Sequence, residues 1–100
     1  MKKHAKTLLV INTEALLEKQ LVRDLREHGA QGWTVTEVHG ANLEGVREGA
    51  WEADRTIEMK VICDEAVADA IAEHVLATYA PHYSVALWFA AVQVLRPERY

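Results

Sequence analysis

Gly32-Trp33-Thr34-Val35-Thr36-Glu37-Val38-His39-Gly40 is a β-branched run closed at both ends by glycine. It predicts a strand that begins sharply and leaves through an unusual backbone turn. The fourteen residues after Gly40 lack strand character. A connection of that length is uncommon inside a compact domain and points to a functional loop, here residues 39–54. The rest of the chain must supply a scaffold that presents this strand exit.

Thr7-Leu8-Leu9-Val10-Ile11 is a short continuous apolar run, which predicts a strand buried on both faces. Asn12 and Thr13 offer capping oxygens to a helix whose apolar positions are Leu17, Leu21, Val22, Leu25 and His28. Glu14 and Glu18 lie near its start and Gly29 ends it. Gly32 to Val38 is the second strand. In Arg55 to Ile62, Ile57, Met59 and Val61 alternate with Thr56, Glu58 and Lys60, which predicts a third strand antiparallel to the second. Asp64 then caps a second helix with apolar positions Val67, Ala70, Ile71, His74, Val75 and Thr78, ended by Pro81. Ser84 to Leu95 is rich in Val, Trp and Phe and predicts a last strand whose two faces are both apolar. Burial of one of them against another subunit explains that pattern. The order is βαββαβ. It predicts an α+β, ferredoxin-like fold, a four-stranded antiparallel sheet with two helices on one face, with residues 1–100 as one domain.

A chain of 100 residues holds one modest core and buries about 60–70% of its unfolded surface, so self-association favours it. Eleven Lys and Arg against fifteen Asp and Glu give a net charge of −4 without a basic stripe, which argues against nucleic acid as a partner. Cys63 is the only cysteine, so no intramolecular disulfide can form, and it reads as a small buried hydrophobe. Behind Met1-Lys2-Lys3-His4 the apolar run Leu8 to Ile11 is too short for a signal-peptide core or a membrane span. The expectation is a soluble cytoplasmic protein without membrane insertion.

No Ser or Cys stands beside a His in a local nucleophile signature, and Asp64 and Glu65 disfavour the Cys63 thiolate, so the chain reads as a non-enzyme. His4, His28, His39, His74 and His82 lack metal-ligand spacing, and no metal is expected. Only His39, at the start of the loop, stands at a place where function is expected. Glu44, Glu48 and Glu52, flanked by Arg47 and Arg55, describe a short amphipathic helix with a solvated acidic face. Gly40-Ala41-Asn42 with Gly45 can turn backbone N–H groups toward a phosphate or carboxylate. Arg96 and Arg99, at the end of the last strand, add guanidinium groups suited to forked contacts with such an anion.

Gly29-Ala30-Gln31-Gly32-Trp33-Thr34-Val35-Thr36-Glu37-Val38-His39-Gly40 resembles the G-x-x-G-x-T-V-x-x-V-x-G run of the PII signal-transduction proteins. Ile57-Glu58 resembles the start of their third strand, and Val94-Leu95-Arg96 the end of their last. The resemblance implies a homotrimer of ferredoxin-like subunits that binds adenine nucleotides in clefts between subunits. It also implies a T-loop after strand two that engages a target protein. Carried over by position, Thr34 lies beside the adenine, and His39, Gly40, Ala41 and Asn42 lie at the phosphates. Arg96 and Arg99 reach the phosphates from the last strand. Ala80-Pro81-His82-Tyr83-Ser84 lacks the glycines and lysine that PII proteins carry before that strand, which implies ADP or AMP rather than ATP. The loop also lacks the tyrosine that some PII proteins have modified. These departures are similar to the PII-like branch of inorganic-carbon metabolism, and most to its carboxysome-associated type. That likeness implies bicarbonate as a second ligand near the loop base, and a carboxysome component or bicarbonate transporter as target; the donors within reach of the loop base are Gly40, Asn42, Arg47 and Lys60. Two alternatives stay open. One is a CutA-like trimer binding a divalent metal through His39, Cys63 or His82; the other is a dimeric α+β-barrel enzyme with the loop as a lid.

Overall fold

The computed structural model describes residues 1–39 and 55–100, together with the backbone of residues 41–42 and 45–46. In chain order the elements are β1 (His4–Glu14), a 3-10 turn (Ala15–Leu17), α1 (Glu18–Glu27), β2 (Thr34–Val38), β3 (Ala41–Asn42) and β4 (Gly45–Val46). There follow β5 (Thr56–Cys63), α2 (Glu65–Thr78), β6 (Val85–Val94) and a closing 3-10 turn (Pro97–Arg99). The main sheet has the order β2-β5-β1-β6 with every pair antiparallel. The two helices pack on one face, so the ferredoxin-like reading holds. Among the residues expected to lack strand character, β3 and β4 form a two-stranded pairing of their own. Of the expected acidic helix, Gly45–Val46 is strand instead, and Glu44, Glu48 and Glu52 lie outside the described residues.

The first strand runs three residues further at each end than the apolar run Thr7–Ile11, because β1 is hydrogen-bonded on both sides and its neighbours extend it. Asn12 and Thr13 are therefore strand residues and cap nothing. The Thr13 hydroxyl instead donates to the Ser84 carbonyl (2.7 Å). The helix is entered through the 3-10 turn, without a side-chain cap. Asp64 does occupy the N-cap position of α2, but it caps no backbone N–H and accepts from Lys6 Nζ at 2.6 Å.

Leu9 and Ile11 on β1, Ile57, Met59 and Val61 on β5, and Leu17, Leu21 and Leu25 before and along α1 are all sealed from solvent. On α2 the buried set is Ala68, Ile71, Ala72 and Val75, continued by Tyr79. The expected positions Ala70 and Thr78 are exposed. The helix is rotated from that reading, with Ala68 and Ala72 as the small residues that let it sit close on the sheet.

Between the helices the Tyr79 hydroxyl donates to the Asp24 carboxylate, and His28 Nδ1–H donates to the Asp24 carbonyl (2.8 Å). His74 Nε2 lies 3.1 Å from the same carboxylate without hydrogen-bond geometry. Burial, reinforced by the Asp24 bond and charge, pushes the Tyr79 hydroxyl up to about 12. α1 ends at Gly29, whose φ of 92° lies in the left-handed region that glycine adopts without strain.

Nothing lies within 4 Å of a Cβ built on Gly29, so substitution there tests backbone strain alone. Gly29→Ala should lower stability by about 1 kcal/mol or more in urea denaturation, and Gly29→Asn by less. Equal stability of all three proteins would show that the φ is not strained. Tyr79 makes a second prediction. Above the ordinary value of 10 an unfolded chain releases this proton while the folded chain keeps it. The stability contributed by Tyr79 is thus complete below pH 10 and is lost as pH climbs toward about 12. Tyrosinate absorbance should reveal one late-titrating hydroxyl that Asp24→Asn brings down; an unchanged titration would contradict the Asp24 bond.

Candidate functional site

At one end of the sheet, Val38 pairs with Thr56 and Thr56 with Glu14. His39 follows directly and is exposed. Arg55 Nη1 stands 2.9 Å from Glu37 Oε1, joining the residues on either side of the loop, and the Ala15 N–H donates to the Arg55 carbonyl (2.8 Å). Beside them the Ser84 N–H donates to Glu14 Oε2 (2.7 Å), so consecutive side chains of β1 hold both sides of the residue that precedes β6. Halfway along, exposed Thr34 faces Lys60 across the β2–β5 pair. Lys60 Nζ is 3.6 Å from Glu58 Oε2 and remains half exposed.

Arg96 and Arg99 occupy the other end. Val94 pairs with His4, and the chain then turns through Pro97–Arg99, where the Arg99 N–H donates to the Arg96 carbonyl (3.1 Å). Arg96 Nε is 3.5 Å from Glu98 Oε1, with both side chains about two-thirds exposed. A contact so exposed is weak and leaves the guanidinium able to take a stronger anion. β1 spans both ends; at about 3.4 Å per residue they are roughly 34 Å apart. Within one chain, therefore, Thr34 and His39 are not brought together with Arg96 and Arg99. Ala41 and Asn42 form β3, while Gly40 and Arg47 lie outside the described residues.

Cys63 is buried, and burial, with the Asp64 charge added to it and Lys6 opposing, raises its thiol above the ordinary value. That thiol is a poor nucleophile at neutral pH. Among the described residues no group of three or more His, Cys, Asp or Glu side chains can hold a metal ion. No described helix is long and apolar enough to cross a membrane. Sequence reading alone does not find the Glu37–Arg55 pair, although it is implicit in the strand register, which sets Arg55 one step beyond the Val38–Thr56 pair.

The sequence profile of the nitrogen regulatory protein P-II family matches residues 6–99. No curated protein matches the chain. Among solved structures, a PII-like signaling protein from Thermus thermophilus is 35% identical, with a TM-score of 0.86 over 100% of this chain and 99% of that one. CPII, a nitrogen regulatory PII-like protein from Thiomonas intermedia bound to ADP, AMP and bicarbonate, is 22% identical, with a TM-score of 0.87 over 98% of this chain and 95% of that one. A DUF3240 family protein from Shewanella baltica shares the fold at 18% identity and a TM-score of 0.67, over 84% of this chain and 86% of that one. With the profile spanning nearly every residue of the described sheet and helices, the chain belongs to the nitrogen regulatory protein P-II family.

Proposed function

We propose that the chain is a regulatory sensor that works as a homotrimer in the cytoplasm and catalyses no reaction. It binds ADP or AMP, in preference to ATP, between subunits and takes bicarbonate as a second ligand. The observation that carries this reading is the separation of the candidate anion-binding groups. Thr34 and His39 belong to the middle and loop end of the sheet, Arg96 and Arg99 to its far end, so one bound nucleotide can meet both sets only if two chains contribute. The likeness to CPII, whose structure holds ADP, AMP and bicarbonate, supports the ligand class. In this reading Thr34 meets the base, His39 to Asn42 and the arginines meet the phosphates, and Gly40, Asn42, Arg47 and Lys60 hold bicarbonate. The segment 39–54 carries the signal to a carboxysome component or bicarbonate transporter. Such signalling works only if the ligands bind one arrangement of the segment better than another.

Calorimetry of the whole protein with ADP, AMP, ATP and divalent metals tests the reading. Heat with ADP or AMP exceeding that with ATP is expected. Arg96→Ala should weaken ADP binding about tenfold or more, the scale of one charge-assisted bond, while the circular dichroism spectrum stays unchanged. Unchanged affinity would remove Arg96 from the site. Heat with a metal and none with any nucleotide would overturn the proposal.

A further inference from the structure

Arg96 and Arg99 stand beyond the last pair of the ladder. Val94 pairs with His4 and the chain then leaves the sheet, so strand pairing no longer fixes the backbone that carries the two arginines. The closing 3-10 turn orders it locally, with the Arg99 N–H donating to the Arg96 carbonyl and the Tyr100 N–H to the Pro97 carbonyl (3.2 Å). These bonds shape the turn without attaching it to the sheet. Both arginine side chains are exposed.

Attachment comes from β1. Neighbours along a strand alternate between faces, so with Leu9 and Ile11 against the helices Lys6 lies on the helix-free side. Its side chain is nevertheless only 12% exposed. A lysine seldom lies so deep without partners, and this one has two. Nζ donates to Asp64 Oδ1 at 2.6 Å, at the junction of β5 and α2, and to the backbone oxygen of Tyr100 at 3.4 Å. The first is a short charge-assisted bond that fixes where the ammonium stands. The second is longer and joins that fixed point to the end of the turn. Among the described residues no other hydrogen bond ties Arg96 to Tyr100 to another element.

We infer that Lys6 is a positioning residue for the nucleotide site: held by Asp64, its ammonium anchors the closing turn to the sheet and so presents Arg96 and Arg99 to the phosphates. The inference rests on the nucleotide reading proposed above. A guanidinium on an unanchored turn must be ordered when the anion arrives, and that cost is subtracted from affinity. An anchored turn is ordered when the chain folds. The Lys6 ammonium is committed to Asp64 and Tyr100, so it acts through the arginines and not on the anion.

Calorimetry of ADP binding to the whole protein tests this with Lys6→Met and Lys6→Gln, each alone and in the Arg96→Ala/Arg99→Ala background. Both changes remove the charge and keep an unbranched stem, and Asp64, 68% exposed, is left to water, so the circular dichroism spectrum should not change. With the arginines present, each should weaken ADP binding about threefold or more, the scale of one lost hydrogen bond. With the arginines gone, the loss should shrink to less than about twofold, because residues that act as a unit are not additive. An equal loss in both backgrounds, as a general loosening of the fold would give, or no loss in either, would overturn the role of Lys6 alone. An Arg96→Ala/Arg99→Ala protein that binds ADP as tightly as the wild type would overturn the nucleotide reading and this inference with it.

Discussion

The pairing of β1 on both of its edges is the constraint on which the rest of the structure depends. Its eleven residues align β5 on one side and β6 on the other, so these two flanking strands, far apart in sequence, inherit their register from it. That register puts Leu9 and Ile11 against Met59, Val61 and Leu87, the sheet side of the core. It also carries the strand to Glu14, where side-chain bonds to Ser84 take over from the ladder and the chain can turn into α1. A buried three-way alignment of this kind is intolerant of slippage, since a shift of one residue would exchange the two faces of β1.

The same alignment separates chemistry along the molecule. The strand exit at His39 stands at one end and the arginines beyond β6 at the other. In the proposed trimer a P-II family subunit of this shape would carry halves of a site, the missing half coming from a neighbour. Interfacial location would give the nucleotide leverage over assembly, and assembly over the nucleotide. The Glu37–Arg55 pair adds a local tie at the base of the loop. Being exposed, it is weak enough to exchange for another anion.

Much of this architecture is legible in the residues. The alternation of Ile57, Met59 and Val61 identifies a one-sided strand because each apolar side chain is large and its neighbours are polar. The spacing of Leu17, Leu21 and Leu25 does the same for α1. Asn12 and Thr13 mislead because their capping chemistry is real, and only the two partner strands, distant in sequence, decide against it. On α2 an alanine-rich sequence carries too little contrast to fix its rotation, so Ala68 and Ala72 are buried where Ala70 and Thr78 are expected. For the site, the Gly29 to Gly40 motif and the terminal arginines name the residue types, but not their distance. That distance follows from strand register, which no short motif encodes.

The central claim is that the adenine nucleotide is held between copies, and its most direct test is the effect of ADP on self-association. A ligand that contacts two chains at once must tighten their association by the factor with which association improves its own binding. Sedimentation equilibrium of the wild-type protein at low concentration, with and without saturating ADP, measures that factor. The account predicts a lower dissociation constant in ADP. A bound nucleotide that leaves the dissociation constant unchanged would place the site within one chain and contradict it.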